Sequence, residues 1–357
     1  MTAPYQLPGD LLSQPLGVSW ASIGQSSSTR PSPALNQASL DNICWQASNQ
    51  AETEAGQPLR ATVQTETLSG PSHRLGILPS GVARFTTSQG PVLKVTRVQV
   101  HVAAAFPYTN WTTLPRTHAY PEEEAYGLYN STAPGMATAG GFAIYIDGTY
   151  VNWLLGPKGT RVQVTYVAGF PHTQLTTKVT AGATTLQVDD VTGWAGAVGW
   201  ISDATKTEVV QCLAVTQGPA PAWSASRNYP TGMYVSHTGV NYQCVQMNGP
   251  GTVSGPIVPS STTSTAWMAT PEPSGPGTLT LFNPVQSEHT APVLVTTMPP
   301  TLRWAVALLA KAQGLQRGVA TLVIGSNNVD AAGGVDGAIQ SALQEASLNV
   351  LPYRRPW

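Results

Sequence analysis

The chain has 357 residues, of which only 10% are charged, and its formal net charge is −1. Soluble domains average about 25% charged residues, so this is a weakly charged chain with no electrostatic reason to seek nucleic acid or an anionic membrane. No apolar run approaches the roughly 18 residues of a membrane span, and the start lacks the pattern of a signal peptide, so we expect a protein made and folded in a cytoplasm.

The composition favours a β-rich fold with many turns. The chain contains 34 glycines and 30 prolines, and its aromatic residues are spread along its length, which argues against disorder. Its three cysteines, Cys44, Cys212 and Cys244, are far apart and form no CxxC pair. We therefore predict buried cysteines rather than a disulfide framework or a zinc site, and neither a metal nor a cofactor.

The first part of the chain predicts an arm followed by a helix. Residues 1–33 are rich in Pro, Ser and Gly, so we expect an extended arm, with a short turn near Asp10, that becomes ordered only against a partner. Residues 34–55 place apolar side chains at helical spacing, and Gly56 ends the pattern. The apolar face of this predicted helix consists of Leu40, Ile43, Cys44, Ala47 and Ala51.

Residues 59–170 alternate apolar and polar positions and predict strands. The expected strands cover residues 59–68, 74–78, 82–87, 92–104, 142–147, 150–155 and 160–168. Between them, residues 106–140 form a long loop with six aromatic side chains: Phe106, Tyr108, Trp111, Tyr120, Tyr126 and Tyr129. Such a loop fits a protein–protein contact and equally a surface loop that packs on itself.

The strands of one predicted β-unit come from two separate stretches of the chain, residues 161–217 and 277–297. Both pieces show strand alternation, whereas the segment 218–276 between them differs in composition. A long insertion at a loop tip costs little closure entropy, so we interpret this segment as an inserted module. The carboxylates of the first piece after residue 170 are Asp189, Asp190, Asp203 and Glu208, and they could be taken for a glycosidase pair. The Val-Thr-Gly that follows Asp189 and Asp190 favours a turn instead.

The inserted segment carries an aromatic pattern. It opens with Pro-Ala-Pro-Ala-Trp and contains Tyr-Pro-Thr-Gly-Met-Tyr-Val at 229–235. This pattern resembles the small chitin-binding modules of families 5 and 12, which implies exposed rings that stack on a sugar. The candidate stacking residues are Trp223, Tyr229, Tyr234, Tyr242 and Trp267. The same rings could instead form the core of so short a unit.

The last part of the chain predicts two helices and a docking tail. Pro299, Pro300 and Thr301 signal the start of a helix over 301–317. A short strand over 319–325 and a helix over 336–348 follow. Residues 351–357 are basic and aromatic, and we interpret them as a docking peptide, with a frayed tail as the alternative. The predicted docking residues are Tyr353, Arg354, Arg355 and Trp357.

Together these elements predict an α+β fold that is mostly β. A β-rich body would carry an N-terminal helix and two C-terminal helices, and it would host a small all-β domain. The predicted boundaries are 1–33 for the arm, 34–217 with 277–350 for the body, 218–276 for the inserted domain and 351–357 for the docking tail.

Several short motifs follow one another through the body. Gly-Gln-Pro-Leu-Arg stands at 56–60, Val-Thr-Tyr-Val-Ala-Gly-Phe-Pro at 164–171 and Leu-Thr-Thr-Lys-Val-Thr-Ala-Gly at 175–182. His-Thr-Ala-Pro at 289–292, Met-Pro-Pro at 298–300 and Leu-Pro-Tyr-Arg-Arg at 351–355 complete the set. In this order they resemble the head–tail adaptor, or connector, proteins of long-tailed bacteriophages. The segment 218–276 departs from the adaptor pattern.

The resemblance implies a structural virion protein in the neck between capsid and tail. Twelve copies would form a ring under the portal protein, and the C-terminal tail of each copy would dock into the portal through Tyr353, Arg354, Arg355 and Trp357. The ring would extend the DNA channel and bind the next connector, stopper or tail protein. Genomic DNA would pass through the lumen without sequence-specific contact, and no membrane would be involved. The alternative is a carbohydrate-binding virion or surface protein that binds a glycan through residues 218–276. The sequence shows no Ser/His/Asp arrangement, HExxH or Gly-rich phosphate loop, so we do not expect an enzyme.

Overall fold

Four α-helices lie in the part of the chain that the computed structural model describes. The described residues are 3–20, 37–68, 76–77, 83–101, 112–113, 119–121, 143–146, 161–203, 206–218, 220–229, 233–244, 246–252, 255–260, 266–269, 273–322 and 334–355. The helices are α1 (Pro8–Ser13), α2 (Gln37–Ala55), α3 (Pro300–Gln316) and α4 (Gly334–Val350). A 3-10 turn, Leu351–Tyr353, follows α4.

The strands of the described residues form several antiparallel sheets. In chain order they are β1 (Val18–Trp20), β2 (Thr62–Leu68), β3 (Gly76–Ile77), β4 (Ala83–Thr86), β5 (Val92–His101), β6 (Thr112–Thr113), β7 (Ala119–Pro121), β8 (Ala143–Ile146), β9 (Arg161–Ala168), β10 (His172–Gln174), β11 (Thr185–Val188), β12 (Val198–Ser202), β13 (Thr207–Gln217), β14 (Tyr234–His237), β15 (Val240–Cys244), β16 (Trp267–Ala269), β17 (Gly277–Leu281), β18 (Leu294–Thr296) and β19 (Ala320–Leu322). The strands predicted between 59 and 168 match β2 to β5, β8 and β9, while the one predicted over 150–155 lies outside the described residues. Most of the loop predicted over 106–140 also lies outside them, and its described parts are β6 and β7, which pair with β5 and β8, so the loop prediction is wrong there.

Six strands close on themselves as a small barrel. Their order is β10-β18-β12-β13-β17-β11. Leu175, next to β10, bridges Val188 of β11, and Thr176 N–H donates to the Gln187 carbonyl at 2.9 Å. These bonds join the two end strands of the sheet and close it into a barrel. Its interior is apolar, with Trp194 and Ile201 fully buried.

Helix α3 lies at the centre of a second core. Ten of its residues are buried, which is expected of a helix that is apolar nearly all round. The predicted face of α2 packs against α3: Leu40, Ile43, Cys44, Ala47 and Ala51 are each at most 1% exposed. Helix α3 begins at Pro300, one residue before the predicted start, but Pro299 rather than Thr301 is its N-cap, and no side chain caps it.

Residues 3–20 of the N-terminal segment pack against the core of their own chain. The prediction of an extended arm that becomes ordered only against a partner is therefore wrong for these residues. Tyr5 and Leu11 are fully buried in the helical core. Tyr5 N–H donates to Ser48 Oγ at 2.9 Å, and its hydroxyl bonds to Glu52. Strand β1 then pairs with β19. The segment adds apolar surface to the core of its own chain, which compensates the entropy of ordering it.

The segment 218–276 leaves and re-enters the barrel between two neighbouring strands. Gln217 at the end of β13 pairs with Gly277 at the start of β17, and Gly218 N–H donates to the Pro276 carbonyl at 2.7 Å. Inside the segment, β14, β15 and β16 form their own three-stranded sheet. Its small core is separate from that of the barrel.

The predicted fold class is confirmed: the chain is α+β and mostly β, with one long N-terminal helix and two C-terminal helices. In the described ranges, none of the helices combines the length and apolarity needed to cross a membrane.

Candidate functional site

Of the four predicted docking residues of the tail, one is buried, two are exposed and one lies outside the described residues. Tyr353 is only 8% exposed and packs edge-to-face on Phe170 at 5.7 Å. Its carbonyl accepts a hydrogen bond from Gln57 Nε2 at 2.7 Å. It is therefore part of the core of its own chain, and its assignment as a docking anchor is corrected. Arg354 and Arg355 are exposed, and Trp357 lies outside the described residues.

Most of the predicted sugar-stacking residues are core residues. Tyr229, Tyr242 and Trp267 are at most 4% exposed, and Tyr229 and Trp267 pack edge-to-face at 5.2 Å. A buried ring cannot stack on a sugar, so these three assignments are corrected. Trp223 is half-buried and packs edge-on against the ring of another residue of the segment.

Tyr234 lies where the inserted segment meets the barrel. Burial raises the pKa of its hydroxyl, and the charge of Asp190 adds to this effect. Asp190 in turn accepts hydrogen bonds from the backbone of Thr192 at 2.9 Å and of Gly275 at 3.1 Å. Asp190 thus stabilises a turn and ties the segment to the barrel. Asp189 bonds separately, to Thr173 Oγ1 at 2.6 Å.

A pocket of about 830 Å³ lies between the N-terminal segment, α2 and the barrel. Three carboxylates line it: Asp10 of α1, Asp41 of α2 and Asp203 just after β12. Trp45 and Pro8 are part of its apolar wall. The described residues that line this acidic pocket include no Lys, Arg or His, but its carboxylates have partners in the same chain: the Arg303 guanidinium attracts Asp10, and His289 Nδ1 lies 3.4 Å from Asp203 Oδ2.

Asp10 is the most deeply buried of the three carboxylates that line the acidic pocket. The residue is 8% exposed, and its Oδ2 has no hydrogen-bond partner among the described residues. Burial raises the pKa of its carboxyl to about 6. The Arg303 guanidinium and a hydrogen bond from the Leu7 backbone oppose this rise, while the charge of Asp203 adds to it. A buried carboxylate with an unsatisfied oxygen costs free energy in the isolated chain.

Replacing Asp10 by Asn should therefore stabilise the isolated protein, and only at higher pH. The raised pKa means that folding favours the protonated carboxyl, so wild-type stability falls as the pH rises from about 4 to above 6. We expect Asp10→Asn to gain about 2–3 kcal/mol in free energy of unfolding at pH 8 and almost nothing near pH 3.5. Urea unfolding at the two pH values measures this. The exposed Asp336→Asn is the control, and an equal gain at both pH values would contradict the prediction.

A buried histidine connects two parts of the barrel. His289 is fully buried, its Nδ1 is 3.4 Å from Asp203 Oδ2, and its Nε2 is 2.5 Å from Glu208 Oε1. Glu208 also accepts hydrogen bonds from the backbone N–H groups of Gln286, at 2.7 Å, and Ser287, at 3.3 Å. The cluster holds the β12–β13 hairpin against the loop before β18. Within the described residues, no group of His, Cys, Asp and Glu is arranged to hold a metal ion.

The outer face of the barrel carries large apolar side chains. Val209 and Leu213 of β13 are 66% and 62% exposed, and Phe282, directly after β17, is 63% exposed. Phe282 N–H donates to the Gln211 carbonyl at 2.9 Å, which places it beside the strand segment between the other two. Leu213 lies at a β-bulge, between Cys212 and Ala214. We call Val209, Leu213 and Phe282 the barrel patch.

Sequence reasoning missed both the acidic pocket and the histidine cluster. The pocket depends on folding of the N-terminal segment, and its available signal was the Leu-Pro-Gly-Asp-Leu-Leu run at 7–12, which combines a helix-start proline with apolar residues. His289 and Glu208 are 81 positions apart, and no local pattern links them. Comparison with known protein families, with curated proteins and with solved structures finds no match for this chain.

Proposed function

We propose that this chain is the subunit of a head-to-tail adaptor ring in the neck of a long-tailed bacteriophage. The ring would dock under the portal, extend the DNA channel and bind the next neck or tail component. The observation that carries the proposal is the barrel patch, because three large apolar side chains at about two-thirds exposure are typical of a surface that another protein covers.

Two further features support an assembly role. The low charge of the chain lets large areas of its surface leave water without leaving ions unpaired. The order of motifs from 56–60 to 351–355 that resembles phage adaptors runs through both cores of the body, the barrel and the helices, and includes His289 and the start of α3. The mechanism would be assembly: each copy buries area against its neighbours, and ring closure multiplies weak contacts.

Replacing two of the three apolar side chains of the barrel patch should weaken assembly and leave the fold intact. We expect a variant with Leu213→Ser and Phe282→Ser to lose at least about tenfold in affinity for the protein that covers the patch, whether another copy or the portal protein. This is the effect of losing interface anchors worth more than about 1 kcal/mol. Its thermal melting should change little, since both side chains face solvent in the single chain. Sedimentation and mass photometry of the protein, alone and with the portal protein, measure both forms of association.

The matched control is Met247→Ser in the inserted segment, where the side chain is 59% exposed and so equally accessible. It should assemble like the wild type. A wild-type protein that stays monomeric even with the portal present would overturn the proposal, as would a virion image that places this chain outside the neck.

A further inference from the structure

The acidic pocket has the chemistry of a site for a basic side chain. Its lining combines the carboxylates of Asp10, Asp41 and Asp203 with the apolar surface of Trp45 and Pro8. One carboxylate oxygen, Asp10 Oδ2, is buried there without a hydrogen-bond partner among the described residues. An unsatisfied buried acceptor is costly. The Arg303 guanidinium of the same chain offsets part of the charge of Asp10, and a second cation bound in the pocket adds to that compensation by charge attraction. The apolar wall fits the stem of a long cationic side chain.

The pocket has room for more than a single ion. Its volume is about 830 Å³, which exceeds that of an arginine side chain, so a guanidinium and its stem can lie beside the carboxylates. Arginine suits such a site because its planar group donates two parallel hydrogen bonds to one carboxylate and stacks on aromatic rings.

The chain itself presents an exposed pair of arginines. Arg354 and Arg355 follow the 3-10 turn, and Leu348 and Leu351 beside them are 62% and 52% exposed. This end of the chain therefore offers cationic and apolar side chains together, which complements the acidic and apolar lining of the pocket.

The arginines and the pocket lie at opposite ends of one helix. Arg355 N–H donates to the carbonyl of Ala55, the last residue of α2, at 2.8 Å. The pocket is lined by Asp41 and Trp45, near the start of α2. At 1.5 Å per residue, Asp41 and Ala55 are about 21 Å apart along the helix. Arg355 therefore cannot reach the pocket of its own chain without leaving its place.

We propose that the acidic pocket of one copy binds the Arg354–Arg355 segment of a second copy. This inference rests on the proposed function, to which it adds the contact between neighbouring subunits. The donor and acceptor surfaces differ and lie at opposite ends of α2, so one copy can offer its tail to one neighbour and its pocket to another. This head-to-tail arrangement generates rings when the rotation closes, whereas a wild-type protein that stops at dimers would mean that two antiparallel copies exchange both contacts. It also redirects the two arginines, predicted above as portal contacts, to a copy of the same chain.

A peptide test addresses the pocket directly. A fluorescently labelled peptide with the sequence of residues 350–357 is titrated into the full-length protein and followed by anisotropy. We expect saturable binding that falls about thirtyfold or more when Asp10→Asn and Asp41→Asn are combined, or when the peptide carries Arg354→Ala and Arg355→Ala. The exposed Asp336→Asn variant should bind like the wild type. Thermal melts confirm that each variant is folded.

A mixing test addresses the geometry of the contact. On a head-to-tail interface, a pocket variant (Asp10→Asn with Asp41→Asn) and a tail variant (Arg354→Ala with Arg355→Ala) each lack one partner surface. Neither should self-associate alone in sedimentation velocity, and their mixture should stop at dimers, since each mixed pair makes one intact contact and no more. Full rings from the mixture, or from the pocket variant alone, would overturn the inference.

The outcomes separate this inference from the proposed function. If folded wild-type protein does not bind the peptide, and the tail variant loses portal binding, the arginines bind the portal; the inference then fails and the adaptor function stands. If the peptide binds the pocket and the protein ignores the portal, the contact between copies stands and the adaptor function fails. Absence of peptide binding and of self-association together overturns the inference outright.

Discussion

Gly169→Ala should be among the most damaging substitutions in the chain, with a loss of at least about 4 kcal/mol in free energy of unfolding. Gly169 has a φ of +101°, and a Cβ there would lie 2.3 Å from the Arg60 carbonyl oxygen. Backbone rather than a flexible side chain is in the way, so relief requires the two segments to separate. That would break the bonds by which Phe170 N–H donates to Leu59 and Ala61 N–H donates to Phe170, both 2.8 Å.

The expected loss has two causes, the strain of a positive φ and the clash of the added Cβ, and a second glycine separates them. Gly182 has a φ of +87°, but a Cβ there meets nothing within 4 Å. Gly182→Ala should therefore show only the backbone strain, about 1–2 kcal/mol. Urea unfolding followed by tryptophan fluorescence measures both variants. Similar losses for the two would mean that the crossing of residues 59–61 with 169–170 does not couple the strands to the helical core.

The periodic parts of the fold could be predicted, because their signal is local. The apolar face of α2, from Leu40 to Ala51, repeats at helical spacing and is fully buried, and the alternation in β9 likewise identifies a strand. Tyr5 shows the limit of this reasoning. Its burial depends on Ser48 and Glu52, 43 and 47 positions away, and a Pro- and Ser-rich segment gives no periodicity from which to infer such contacts.

The candidate sites were harder to predict, because their character depends on burial. The aromatic pattern of 218–276 fits exposed rings as well as core rings, and only the structure shows that Tyr229, Tyr242 and Trp267 pack together inside a small sheet. The tail shows the same dependence on burial: Tyr353 is buried, and Arg354 next to it is exposed. Composition identified an interface-like peptide but could not say which of its residues the chain uses for its own core.

His289→Phe should cost about 2–4 kcal/mol in free energy of unfolding, although the phenylalanine ring fills a similar volume. The imidazole lies 2.5 Å from Glu208 and 3.4 Å from Asp203 and is itself fully buried. Removing it leaves two carboxylates beside an apolar ring, and their lost hydrogen bonds are not replaced. Thermal and urea unfolding measure the loss, and a double-mutant cycle with Glu208→Gln should give a coupling energy of at least about 1 kcal/mol.

The neighbouring Glu288 provides the control for this prediction. It pairs with Lys178 at 2.8 Å, but both side chains are about half exposed, and surface pairs of this kind contribute little to stability. Glu288→Gln should therefore melt like the wild type. If His289→Phe also melted like the wild type, the carboxylates would not depend on the imidazole, and the hairpin from β12 to β13 would be held by the hydrogen bonds of Glu208 to the backbone of Gln286 and Ser287 alone.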